Sequence, residues 1–281
     1  AKMSVNLSAG TASQATVAYQ HAELGTLNIR LRDHDSGNEA GAVYEINRTG
    51  TTDSVKISTN SGGPIRLDYI SFTWQKPLPT PQLKGTAFPV PEYVYNITNQ
   101  DLHGDGFADM VIIIPTSQKL RTQAERLKAF HEQNDGMRVR IVPADELYNE
   151  FSSGTPDANA YRRYLKMLYD RAQTETDMPK YLLLFGDCVW DNRMLTANCR
   201  NLNPDDYLLC FESENSFSAL HCYVDDGFFC ALDDGEGLNT NFSDKQDVAV
   251  GRFPVKTEAE AKVMVDKVIN YVKNQNGGAW Q

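Results

Sequence analysis

Carboxylates dominate the chemistry this sequence could do. In Asp101-Leu102-His103-Gly104-Asp105-Gly106-Phe107-Ala108-Asp109, the residues Asp101, Asp105 and Asp109 hold the first, fifth and ninth places, with glycine at the sixth. Calcium loops share that spacing, because the cation collects about 6–8 oxygen ligands and the glycine permits a sharp turn. His103 departs from the pattern, since neutral imidazole is a poor calcium ligand. A second acidic stretch holds Asp225, Asp226, Asp233, Asp234, Glu236, Asp244 and Asp247, with Gly227, Gly235 and Gly237 to let it fold tightly. Both stretches read as candidate calcium loops, and the competing reading for both is a solvated polar turn.

The five cysteines are Cys188, Cys199, Cys210, Cys222 and Cys230. Spacings of eleven, eleven, twelve and eight do not make the paired short knuckles of a structural zinc site. They read either as contributors to a disulfide or as buried small hydrophobes, and the odd count leaves one thiol over. The histidines, His21, His34, His103, His131 and His221, are scattered. His221 adjoins Cys222, but neighbours in an extended segment point to opposite faces, which argues against a catalytic pair. No Gly-x-Ser-x-Gly elbow, phosphate loop or His-Glu-x-x-His occurs.

Two kinds of element must position these groups. Residues 1–76 read as a β-sandwich, jelly-roll-like, built from Ala15–Tyr19, Gly25–Asp33, Val43–Asn47, Ser54–Ser58 and Arg66–Trp74, where apolar residues alternate. Five prolines, Pro77, Pro79, Pro81, Pro89 and Pro91, make residues 77–92 a linker. Residues 93–281 then alternate strand and helix. Met110–Ile114 and Tyr181–Phe185 are apolar throughout, as strands buried on both faces are. Arg138–Val142 and Val248–Val250 complete four strands, the third stopped by Gly186 and the fourth by Gly251. Leu120, Ala124, Leu127 and Phe130 fall on one helical face, Asp157 caps a second helix, and Thr257 opens a third with a capping box to Glu260. Such alternation specifies a parallel sheet covered by helices.

The net charge of −10 disfavours nucleic acid as a partner. No apolar run approaches the roughly 20 residues of a membrane span. No signal peptide is legible at Ala1-Lys2-Met3.

Three stretches of the α/β half resemble the gingipain family of cysteine peptidases, most closely its type IX secretion sortase branch. They are Leu147 through Asp157 (LYNEFSSGTPD), Tyr181 through Asp187 (YLLLFGD), and Tyr223 through Val255, which includes YVDDGFF, DDGEG and DVAVGRFPV. Order and spacing match over about residues 92–275. The resemblance implies a caspase-like fold of two α/β subdomains. It places the catalytic histidine of a Gly-His-Gly turn and the nucleophilic cysteine in the second subdomain, after the helix that follows Gly-Arg-Phe. Both are therefore expected beyond Gln281, and no residue here is assigned a catalytic role. It also implies calcium ligands at Asp187, at Asp247 and, across an inserted stretch, at Asp234. The activity implied for the full-length protein is removal of the C-terminal sorting domain of exported cargo, with transfer of the new end to a lipopolysaccharide acceptor. The partners would be exported cargo and other secretion components, at the bacterial outer membrane or cell surface. The alternative is a non-enzymatic, calcium-stabilised surface binding module.

Overall fold

The computed structural model describes residues 1–50, 52–75, 90, 99–213, 217–237 and 243–273. Apart from Val90, the expected linker lies outside the described residues. The chain divides into two compact units: Ala1–Asn96 with Asn215–Tyr223, and Ile97–Glu214 with Val224–Gln281.

The first unit is a sandwich of two antiparallel, three-stranded sheets. One has the order β4 (Asn38–Glu45), β1 (Lys2–Ala9), β6 (Ile65–Thr73), and the other β3 (Ala22–Ile29), β2 (Ser13–Tyr19), β5 (Val55–Ser61). Central strands β1 and β2 alternate strictly. Met3, Val5, Leu7 and Ala9 of one pack with Ala15, Val17 and Tyr19 of the other, and with Leu27 and Ile29. The period of two turns every second side chain inward, so each sheet buries one face only. Register is fixed at the centre, where Val5 lies opposite both Ala42 and Ile70. Residues 217–219 finish this unit at the turn before β4. The Ser36 amide donates to Phe217 O at 2.7 Å, the Ala219 amide donates to His34 O at 3.0 Å, and Ser218 is buried.

The second unit is a four-stranded parallel sheet, ordered β10 (Ala249–Phe253), β9 (Tyr181–Phe185), β7 (Met110–Ile114), β8 (Val139–Pro143). Its strands carry apolar residues on both faces because both are covered. Ile112, Ile114, Leu183 and Phe185 pack under α1 (Arg121–Asp135) and α4 (Glu258–Val272). Val111, Ile113, Leu182 and Leu184 face α2 (Ala144–Phe151), α3 (Asn159–Arg171) and the short 3-10 helix Asp226–Cys230. Helix α4 opens with the capping box: Thr257 Oγ1 accepts from the Glu260 amide while the Glu260 carboxylate accepts from the Thr257 amide. Tyr161 and Tyr164 of α3 are fully buried, so their hydroxyls need partners. Tyr161 meets the Tyr148 hydroxyl at 2.7 Å and accepts from the Leu209 amide; Tyr164 donates to Asp105 at 2.7 Å.

Strand β10 runs through Gly251 to Phe253 and does not stop at it. This edge strand leaves open space where a Gly251 side chain would stand, so the glycine there is neither a turn nor a close contact.

Candidate functional site

In an open parallel sheet, ligands gather beyond the carboxyl ends of the strands. Here that end is built from the residues after β9, the last residues of β10 and two loops that cross them. Gly186 follows β9 where a side chain would strike Pro115 Cγ at 2.8 Å, so the chain can pass only as glycine. Asp187 and Cys188 are then strapped from both sides. The Asp187 amide donates to Val255 O at 3.1 Å, its carbonyl accepts from the Leu208 amide at 2.9 Å, and Cys188 pairs with Leu208 in a parallel bridge.

Arg252 of β10 is nearly buried and forms a two-bond fork to Asp226, Nε to Oδ2 at 2.8 Å and Nη2 to Oδ1 at 2.7 Å. Its Nη1 also donates to Gly186 O at 3.2 Å. Fork geometry of this kind fixes both partners, and the carboxylate offsets the cost of burying the cation. Asp226 is presented by its own 3-10 helix, capped by Asp225, whose side chain accepts from the Gly227 amide at 2.8 Å.

All five cysteines are free thiols. The Cys188 and Cys210 side chains hydrogen-bond to each other. That bond, helped by the Arg252 guanidinium and opposed by burial, lowers the Cys188 thiol to about 7. The same bond and burial push Cys210 up. Burial pushes Cys230 up to about 12, in keeping with a packed core thiol. His103 stacks on Phe151 at 4.5 Å and bonds Glu150 at 2.8 Å, and His131 bonds Asp135 at 2.6 Å; both fasten local structure.

Each of the sequence-predicted calcium ligands has a partner within the protein. Asp101 accepts from the Gly104 amide at 2.8 Å and caps a 3-10 turn. Asp105 is buried against Arg140 at 2.6 Å as well as Tyr164. Asp109 takes the Arg138 guanidinium at 2.9 and 3.1 Å, the Arg138 amide at 2.9 Å and Lys180 at 3.2 Å. The guanidinium foremost holds its carboxyl well below the usual carboxylate range, against the effect of burial. Asp187 pairs with Lys256 at 3.1 Å, exposed Asp234 with Lys166 at 3.0 Å, and Asp247 accepts from the Leu232 amide at 2.7 Å. Among the described residues no three His, Cys, Asp or Glu side chains converge as a metal site. Local spacing did not reveal their partners, which lie up to 71 residues away. It also missed the Arg252–Asp226 fork and the Cys188–Cys210 contact. The one available signal was that Gly-Arg-Phe and Tyr-Val-Asp-Asp stand in the same family-like stretch.

Residues 104–281 match the family model for peptidase family C25. The chain belongs to peptidase family C25. This is the gingipain family of cysteine peptidases, and the caspase-like α/β fold seen here agrees with it. The crystal structure of dimeric latent PorU from Porphyromonas gingivalis is similar over 100% of this chain, with a TM-score of 0.62 and 23% identity. The chain spans only 34% of that protein's length. Another solved structure, of a protease, covers 59% of this chain and 28% of its own at 16% identity and a TM-score of 0.39. No curated protein matches. Among the described residues no helix is long and apolar enough to cross a membrane.

Proposed function

We propose that this chain is the N-terminal, non-catalytic portion of a C25 peptidase of sortase type. The whole protein, on this reading, cleaves the C-terminal sorting signals of exported cargo during type IX secretion, at the outer membrane or cell surface. One observation carries the reading: similarity to PorU extends across both units, sandwich and α/β alike, while the family model itself begins only at residue 104. A C25 catalytic unit alone would account for the second unit and leave the sandwich without explanation. In this role the chain supplies half of a caspase-like core. The buried Arg252–Asp226 fork sets the carboxyl end of the sheet against which a catalytic subdomain would stand. The thiol and imidazole that form an acyl-enzyme belong to that further subdomain.

The test has two arms. This chain should show no hydrolysis of arginyl, lysyl or sorting-signal peptides, and alkylating its thiols should change nothing. The longer gene product should cleave the sorting-signal peptide and lose that activity on alkylation. Thiol-dependent hydrolysis by the chain alone would refute the non-catalytic assignment. Inactivity of the longer product toward sorting signals would refute the sortase reading.

A further inference from the structure

Cys188 and Cys210 are a thiol pair that the peptidase reading does not use. They come together because two backbone straps hold their segments. The Leu208 amide bonds Asp187 O at 2.9 Å, and Cys188 itself pairs with Leu208, which lays residues 208–210 along the exit of β9. Beyond this, Asn192 clamps Cys210 from the other side. Its amide nitrogen donates to Cys210 O at 2.7 Å, and its oxygen accepts from the Cys210 amide at 3.0 Å. Cys210 Sγ thus lies 3.3 Å from the carbonyl oxygen of Val189, the residue that follows Cys188. Disulfide formation demands close Cα positions and Cβ vectors that face each other, because the bond tolerates little stretching. The Cys188–Leu208 pairing, the Asn192 clamp and the Val189 contact place Cys210 beside Cys188 on backbone fixed by three hydrogen bonds.

We infer that Cys188 and Cys210 form an intramolecular disulfide, closing the loop that runs between them across the carboxyl end of the sheet. The oxidant is a small-molecule disulfide such as oxidised glutathione. The Cys188 sulfur, half-buried and the more accessible of the two, attacks one sulfur of the reagent and releases one glutathione thiolate. The product is a mixed disulfide at Cys188. Cys210 gives its proton to water and attacks Cys188 Sγ, releasing the second glutathione thiolate. The protein dithiol loses two electrons and two protons, and the reagent is reduced to two thiols. The cross-link would freeze the loop of residues 189–209 against β9, next to the Gly186 and Leu209 carbonyls that face Arg252. The site is therefore a redox lock on the loop whose two ends meet at the candidate site.

The chain should be equilibrated with excess oxidised glutathione, quenched with an alkylating agent, digested without reductant and mapped by mass spectrometry. The expected result is one linked peptide pair carrying Cys188 and Cys210, two hydrogens lighter than its reduced parts and separated by dithiothreitol. Cys210→Ser should stop at a glutathione adduct on Cys188, and Cys188→Ser should leave Cys210 a free thiol. If the variants fail to fold, limited proteolysis of the oxidised wild-type chain decides instead: cuts within 189–209 should give fragments that separate only on reduction. Glutathione adducts at Cys188 with Cys210 still free, or links that join other cysteines without this pair, would overturn the inference.

Discussion

Asp109→Asn should be the most informative single change in the α/β unit. The carboxylate is buried and ties the entrances of β7, β8 and β9 together through Arg138 and Lys180. Asparagine keeps the shape and one acceptor but loses the charge. An exposed ion pair is worth about 0–1 kcal/mol, whereas removing one partner of a buried pair costs about 3–5 kcal/mol. Here the carboxylate is sheltered, but Arg138 and Lys180 remain about half exposed and can rehydrate, which places the loss at about 2–3 kcal/mol. For a unit of this size that lowers Tm by about 5–10 °C. The folded carboxyl titrates below its unfolded value of about 3.9, so its contribution is complete above that pH and is lost as acid rises. The gap between wild type and variant should be constant from pH 5 to 8 and shrink by about 1 kcal/mol by pH 3. Near-ultraviolet circular dichroism of the buried Tyr148, Tyr161 and Tyr164 reports this unit during melting. The scans should be run with calcium and with excess chelator, and the gap should be the same in both. A gap that vanished in chelator would mean the carboxylate acts through a cation, and one unchanged at pH 3 would mean charge is not its origin.

Tyr161→Phe should cost about 2–3 kcal/mol in denaturant unfolding, because it strands both the Tyr148 hydroxyl and the Leu209 amide, and it should exceed Tyr148→Phe. Equal losses would contradict this. Thr257→Ala should remove about 1 kcal/mol and speed amide exchange in the first turn of α4, with no change in exchange at α3. Gly186→Ala should destabilise by about 1–3 kcal/mol, since the added carbon meets the Pro115 ring; a neutral result would show that the β7 exit yields freely.

Much of the fold was legible where one period ruled. The apolar runs at Met110–Ile114 and Tyr181–Phe185 could only be doubly covered strands, and Thr257 with Glu260 marked the start of α4. Strand β1 was missed although Met3, Val5, Leu7 and Ala9 alternate, because the intervening serines and asparagine resemble a polar terminus. It proves to be the centre of its sheet. Helix α2 is only eight residues long, too short to display a period. At the candidate site, the spacing of Asp101, Asp105 and Asp109 spoke for one ligand set, but spacing along a loop carries no information on the cations opposite. Arg138, Arg140 and Lys180 arrive from other strands, and only the parallel pairing of β7 with β8 and β9 brings them there. The cysteine spacings were equally mute, since Cys188 and Cys210 meet through the Leu208 bridge, with Cys199 between them in sequence.

The bonds that Ser36 makes to Phe217 span 181 residues of chain. During synthesis, with the N-terminus leading, the six strands of the first unit can pair long before residue 217 emerges. The turn before β4 then waits with the Ser36 amide and hydroxyl satisfied only by water. The sandwich therefore completes its 33–37 turn last, and the two units cannot finish in strict succession. A ribosome-bound chain arrested before Asn215 should hold a sandwich whose 33–37 turn exchanges its amides freely. Release of the longer chain should protect that turn only when the return segment has docked.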